Sequence, residues 1–247
     1  MYKKLFFSLI VCLCAHYAVQ AQFLLDVESG VVFNSRYNEV RVPGNTGTQF
    51  DLSKDFSGNS TFFYRIRAGI TLSDRHTISL LYAPLHVKST TTPDQQILFN
   101  GATFTAGNRL DASYTFNSYR LTYRYDFIRN PKLRFGAGLT AKIRDADIQL
   151  SNEQLSTTKS NVGFVPLINF YLEWNFAERF GLILEGDALV GKQGRAEDIF
   201  AGLGYQIVKD KVTLKAGYRV LEGGADNDEV YNFTWFDYAS AGLIFRL

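Results

Sequence analysis

From residue 22 onward the chain alternates apolar and polar positions with a period of two. Phe23, Leu25, Val27, Val31 and Phe33 share one face, opposite Asp26, Glu28 and Asn34. Phe62, Tyr64, Ile66, Ala68, Ile70 and Leu72 stand against Arg65, Arg67, Gly69 and Thr71. Tyr119, Leu121, Tyr123, Tyr125 and Phe127 stand against Ser118, Arg120, Thr122, Arg124 and Asp126. Alternation of this kind marks strands with two unlike faces. It recurs at 133–144, 164–176, 180–190, 198–207, 212–220 and 239–247, while 76–87 is strand-like with both faces partly apolar. The pattern predicts ten strands.

The connections alternate too. Ser73–Arg75, Arg129–Pro131, Ala177–Arg179 and Lys209–Lys211 carry tight-turn chemistry. Between them lie longer, more polar stretches at 35–60, 88–109, 151–161, 191–197 and 222–231. An antiparallel meander with this alternation puts the short turns and both termini on one rim and the long loops on the other. That is the layout of a transmembrane β-barrel, with periplasmic turns, periplasmic termini and extracellular loops. The expected fold is all-β: a single ten-stranded antiparallel up-and-down transmembrane barrel, with eight strands as the smaller alternative.

Composition changes the picture at one end. Lys3 and Lys4, the apolar run Leu5–Leu13 and Val19-Gln20-Ala21 have the three-part order of a secretory signal peptide. Val11 and Leu13 before the two cysteines do not make a lipobox. Residues 1–21 are thus expected to be a signal peptide and 22–247 the barrel. Removing that segment leaves 26 − 2 = 24 basic side chains against 24 acidic ones, with no Cys and no Met. A neutral chain lacks a basic nucleic-acid footprint. A chain without cysteine has no disulfide framework, Cys zinc site or thiol nucleophile. No cofactor is implied.

A soluble sandwich or barrel also alternates, with its apolar face inward. Two features argue for the membrane instead. Gly69, Gly136, Gly138, Gly202, Gly204, Gly217 and Gly242 gather on the polar face, where a narrow lumen crowded with Arg and Tyr needs small neighbours. Phe23, Phe33, Tyr125, Phe127, Trp174 and Phe176 lie near strand ends on the apolar face, as interfacial girdles do. Ala239, Ala241, Leu243, Phe245 and Leu247 alternate to the chain end, like a barrel insertion signal, although its last residue is not aromatic and Phe245 must serve. On these features the chain after the signal segment resembles the small bacterial outer-membrane β-barrel proteins. The stretches Val40–Leu52 (VRVPGNTGTQFDL) and Tyr218–Phe233 (YRVLEGGADNDEVYNF) resemble those of uncharacterised barrels of this kind. The resemblance implies the Gram-negative outer membrane, its lipid and the barrel-assembly machinery as partners. It carries no activity.

The polar face is rich in charge. Arg65, Arg67, Arg120, Arg124, Arg134, Lys142, Arg144, Lys215 and Arg219 are expected inside with Glu28, Asp126, Glu173, Glu185 and Asp187. Such groups pair across a lumen or stay hydrated. They make either a salt-bridged plug or a narrow path favouring anions. A rim hydrolase would need a base, and His86 is the candidate, with Asp145, Asp187, Asp198 or Glu222 as carboxylate partner. Glu222–Glu229 offers a weak Ca²⁺ candidate in Asp226, Asp228 and Glu229. Glu185, Asp187, Arg195 and Asp198 read as a structural network holding a short loop, with a binding site at the outer rim as the alternative. Val40, Val42, Phe50, Leu52 and Phe56 predict a cap over the first long loop, and Asn100-Gly101 a type I′ hairpin within Ile97–Phe104. The leading expectation is a structural or surface-binding barrel acting through its extracellular loops on an unspecified ligand. A narrow pore and a His86 hydrolase are the alternatives.

Overall fold

A computed structural model describes residues 21–191 and 194–247. The signal segment expected at 1–21 lies, except for Ala21, outside the described residues. Ten strands form the wall: β1 (Ala21–Arg41), β2 (Thr61–Leu72), β3 in two pieces (His76–Ala83 and His86–Thr91), β4 (Leu110–Arg129), β5 (Leu133–Ser151), β6 (Ser156–Asn175), β7 (Phe180–Gly191), β8 (Gly194–Val208), β9 (Val212–Asp226) and β10 (Tyr231–Arg246). Each pairs antiparallel with its chain neighbours, and β1 pairs with β10, from Leu24↔Arg246 to Arg41↔Tyr231, to close the barrel. Closure leaves the sheet without a free edge along most of its length.

The alternation sorts side chains as a barrel wall requires. Leu139 is 69% exposed and Phe62 83% exposed on the outside, while Arg65, Arg120 and Lys215 are buried within. So broad an exposed apolar belt is costly in water and is covered by lipid in a membrane barrel. Residues 77–83 resolve into one pattern. Thr77, Ser79, Leu81 and Ala83 point inward, and Ile78, Leu80 and Tyr82 outward. Inside, space is rationed between strands. A Cβ at Gly202 would fall 2.6 Å from the Phe200 ring and 2.9 Å from Gly217 on the next strand. The glycine lets Phe200 lie flat inside the wall.

The start of β1 and the C-terminal end of the chain sit on the rim of short turns, where Phe23 N donates to Leu247 O at 2.6 Å and Leu247 N returns to Phe23 O at 2.9 Å. At the far rim the strands outrun their sequence signal. Three of the five stretches expected as loops are mostly strand: the hairpins close at Ser151↔Ser156, Gly191↔Gly194 and Asp226↔Tyr231. Strands of 19–21 residues such as β1 and β5 exceed the roughly 9–11 needed to cross a bilayer. Beyond the apolar belt both faces meet water or protein, so the outward apolar half of the pattern disappears while the backbone ladder continues.

Only the first two far-rim connections remain long, and they fold into the mouth. Val40, Val42, Phe50, Leu52 and Phe56 from the first pack with Ile97, Phe99 and Phe104 from the second. Phe50 meets Phe99 edge-on at 6.0 Å. Asn100 and Gly101 take positive φ, 48° and 78°, as a type I′ turn demands. The hairpin they close is docked on the first loop by Asn100 N to Val42 O at 2.8 Å and Thr48 N to Leu98 O at 2.8 Å.

Candidate functional site

The inward parity of ten strands delivers charged side chains to the middle of the barrel, and the geometry there is dense. Arg219 on β9 is 1% exposed. It grips Glu28 on β1 with two nitrogens at 2.6 and 2.7 Å and reaches Asp198 on β8 at 2.6 Å. Lys215 places Nζ among Asp26 at 2.9 Å, Glu28 at 2.8 Å and Glu185 at 3.1 Å. Arg120 joins Asp187 at 2.7 Å to Asp198 at 2.5 Å. Arg65 meets Asp198 at 2.9 Å and Arg67 meets Glu185 at 2.7 Å. Thr140 Oγ1 and Asn169 Nδ2 donate to the remaining Asp187 oxygen. Charged groups this deeply desolvated persist only when paired and hydrogen-bonded.

A second cluster lies nearer the short-turn rim. Asp126 accepts from Arg124 at 3.0 Å and Arg134 at 2.5 Å. The Arg124 guanidinium lies 4.3 Å from the Tyr171 ring centre, within cation–π range. The Tyr171 hydroxyl donates to Glu173 at 2.7 Å, and Arg246 donates to both. The ten sequence candidates therefore divide. Arg65, Arg67, Arg120, Arg219, Glu185 and Asp187 fall in the upper cluster, and Arg124, Arg134 and Glu173 in the lower. Arg144 joins neither; it donates to the Asn161 amide oxygen. Sequence reasoning did not place Asp198 or Arg246 in the interior. Their parity with Gly202 and Gly242 was the available signal.

Other candidates stand apart. His86 is exposed on the outer face of β3, where Nδ1 lies 2.9 Å from the Thr115 hydroxyl. Of its four proposed carboxylate partners, Asp187 and Asp198 serve interior arginines, Asp145 accepts from Asn117, and Glu222 accepts from Arg195 and Tyr37. No His–carboxylate pair forms among the described residues. Arg195 likewise pairs with Glu222, rather than with Glu185, Asp187 or Asp198. The Ca²⁺ candidate is not assembled: among the described residues no three His, Cys, Asp or Glu side chains are arranged to hold a metal ion. Asn227 caps the β9–β10 turn by accepting from Glu229 N and Val230 N, and Glu229 pairs with Lys159 at 3.2 Å. A hairpin sends neighbouring side chains to opposite faces and keeps these carboxylates apart.

Between the charge clusters and the far rim lies a chamber of about 770 Å³. Tyr114, Phe116, Ile148 and Leu221 give it apolar walls, and Lys142 and Arg144 face it from β5. Its size falls in the range of about 300–1,000 Å³ usual for small-molecule sites.

No protein-family model matches the chain, and no curated protein matches it. Solved structures do. The outer membrane protease OmpT of Escherichia coli is similar at 12% identity, covering 92% of this chain and 97% of that one, with a TM-score of 0.56. Ail, the attachment invasion locus protein of Yersinia pestis, matches at 8% identity over 92% and 98% of the two chains, with a TM-score of 0.39. This chain has the fold of an outer-membrane β-barrel. At such identities the likeness to OmpT reaches the fold alone, so the barrel's chemistry must be read from its own interior.

Proposed function

We propose that this protein is a non-conducting binding barrel of the outer membrane, with its termini and short turns in the periplasm and its capped, extended rim outside the cell. The interior charge cluster carries the reading. Arg219, Lys215, Glu28, Glu185 and Asp198 come from four different strands and meet at the barrel centre, all buried. Charges spaced to bind one another leave little to bind a passing ion. The chamber lies on the far side of this plug, and the two folded loops roof the adjacent part of the mouth. That arrangement suits holding a ligand on the outer side better than passing one through. His86, bonded to a threonine on the outer face, lends the hydrolase reading no support.

Planar-bilayer recording tests the proposal. The intact barrel is expected to give no conductance steps, and regular steps would overturn it in favour of a pore. Orientation is read by cleaving intact cells with an external protease. A cleavage site inserted at Asn152–Leu155 is expected to be cut, and one inserted at Lys209–Lys211 to be protected.

A further inference from the structure

The wall is not closed along its whole height. β6 pairs with β5 over its full length, from Leu133↔Trp174 to Ser151↔Ser156. On its other side it pairs with β7 only from Asn175↔Gly181 to Ile168↔Ala188. The β7–β8 hairpin then turns back at Gly191↔Gly194, and the edge of β6 over residues 156–167 stands without a β7 partner. Pro166 lies on this edge. A proline has no N–H to offer a ladder and belongs where no strand pairs.

The gap leads into the chamber. Phe164 and Pro166, side chains of the outer face of β6, line the chamber together with Val165. Val190 on the opposite bank is 71% exposed. Phe164 is level with Ile143 and Tyr119 through the paired strands, so the opening cuts the upper part of the apolar belt and not the wet rim alone.

The chamber floor has a charge that the protein does not neutralise. Lys142 is 3% exposed. Among the described residues it forms no ion pair and no hydrogen bond, and its Nζ lies 4.7 Å from the Phe116 ring centre. Beside it Arg144 has no acidic partner among the described residues, and its Nε is buried without an acceptor among them. The cations of the two clusters below each have a carboxylate. A buried ammonium without a counter-ion is unfavourable, and an anion brought by a ligand would supply one.

We propose that the chamber takes up a single-chain amphiphile with an anionic head, a carboxylate or a phosphate monoester. The head sits on Lys142 and Arg144, and the hydrocarbon chain runs along Phe116 and Leu189 and out between β6 and β7. The proposal rests on the reading of the barrel as an outer-membrane binding protein and names its ligand class. Both observations are required: the cations select the head, and the gap, flanked by Phe164 and Val190, admits the chain.

The test uses the full barrel refolded into vesicles of zwitterionic lipid. Palmitate is added from water in one arm. In the second, palmitoyl lysophosphatidic acid is already in the bilayer. Hexadecanol and hexanoate serve as probes lacking the head charge or the long chain. Bound probe is counted by native mass spectrometry. Palmitate or the lysophosphatidate is expected to bind at least tenfold more tightly than either control, and which of the two does so identifies an aqueous or a membrane source. Lys142→Gln is expected to lose at least tenfold in that binding without changing hexadecanol binding. Val165→Trp, which fills the gap, is expected to lose it with the cations intact. Migration on a gel before and after boiling certifies that each variant is folded. Hexadecanol binding as tightly as the better of the two anionic amphiphiles, or a folded Lys142→Gln that binds anions as the parent does, would overturn the inference. A silent barrel that binds no amphiphile defeats the ligand class and leaves the non-conducting barrel standing. A conducting one defeats that reading first.

Discussion

The half of the barrel nearer the termini is filled with paired charge, while the half beyond the apolar belt is filled with Phe50, Phe99, Phe104, Leu110 and Leu150. Outside, the order is reversed: apolar around the ionic half, polar around the apolar one. Each half places its apolar groups where water is absent, and the difference lies in which side that is. In the membrane belt the lipid takes the apolar side chains, leaving the interior to polar ones, which must then satisfy each other. Beyond the belt water returns to the outside, and the interior becomes an ordinary hydrophobic core. The two halves should therefore fail differently.

The largest effect is expected from the charged half. Arg219→Met removes one partner of Glu28 and one of Asp198, leaving buried carboxylates short of countercharge. Breaking a buried pair in this way costs about 3–5 kcal/mol. The folded species should lose its resistance to sodium dodecyl sulfate at markedly lower temperature, as read by gel migration. An unchanged transition would mean that the cluster is hydrated rather than dry. In the capped half, Phe99→Ala opens a cavity worth roughly 3 kcal/mol. The damage should stay local. Protease should cut within 42–60 and 92–109 while the barrel's gel transition moves little; a joint loss of both would show the two halves to be one cooperative unit.

The smallest expected effect is a pH-dependent one. Burial alone would raise the Asp51 carboxyl, but Ser53 Oγ at 2.6 Å, Asn38 N at 2.8 Å and Ser53 N at 2.9 Å all donate to Oδ1 and hold it below the usual carboxylate range. A lowered folded value means that the contribution is present above the unfolded value of about 3.9 and vanishes as pH falls through the folded one. Pepsin should therefore cut the cap increasingly as pH drops below about 4 while the wall stays intact. Asp51→Asn should weaken the cap by about 1–2 kcal/mol at neutral pH and flatten that dependence. A cap equally resistant at all acid pH values would show that Phe50 and Phe99 hold it without Asp51.

Much of the wall was legible because strand parity is local. A period of two tells which face each side chain takes, so Arg65, Arg120, Glu185 and Arg219 could be assigned to one face without knowing their neighbours. Pairing is not local. Arg219 and Glu28 are 191 residues apart and meet only because β1 closes on β10. Where the outward apolar half of the pattern ends, sequence reading also ended the strands, and so it took the far-rim parts of β6, β8 and β9 for loops. His86 and the acidic turn around Asp228 were weighed by residue type, and the backbone then turned each away from the partners its chemistry would need.

Alternation, turn chemistry and the placement of glycine determined by themselves that this chain is a wall with an apolar outside and a charged inside, because each of these is written in neighbouring residues. Which charges neutralise one another, that Lys142 is left over, and that the wall parts above Ile168 were decided only by tertiary structure. Those outcomes depend on strand register and hairpin height, which are set by contacts between residues far apart in the chain. Pro166 alone marked the opening in the sequence, and its meaning became readable once the strand beside it was seen to stop.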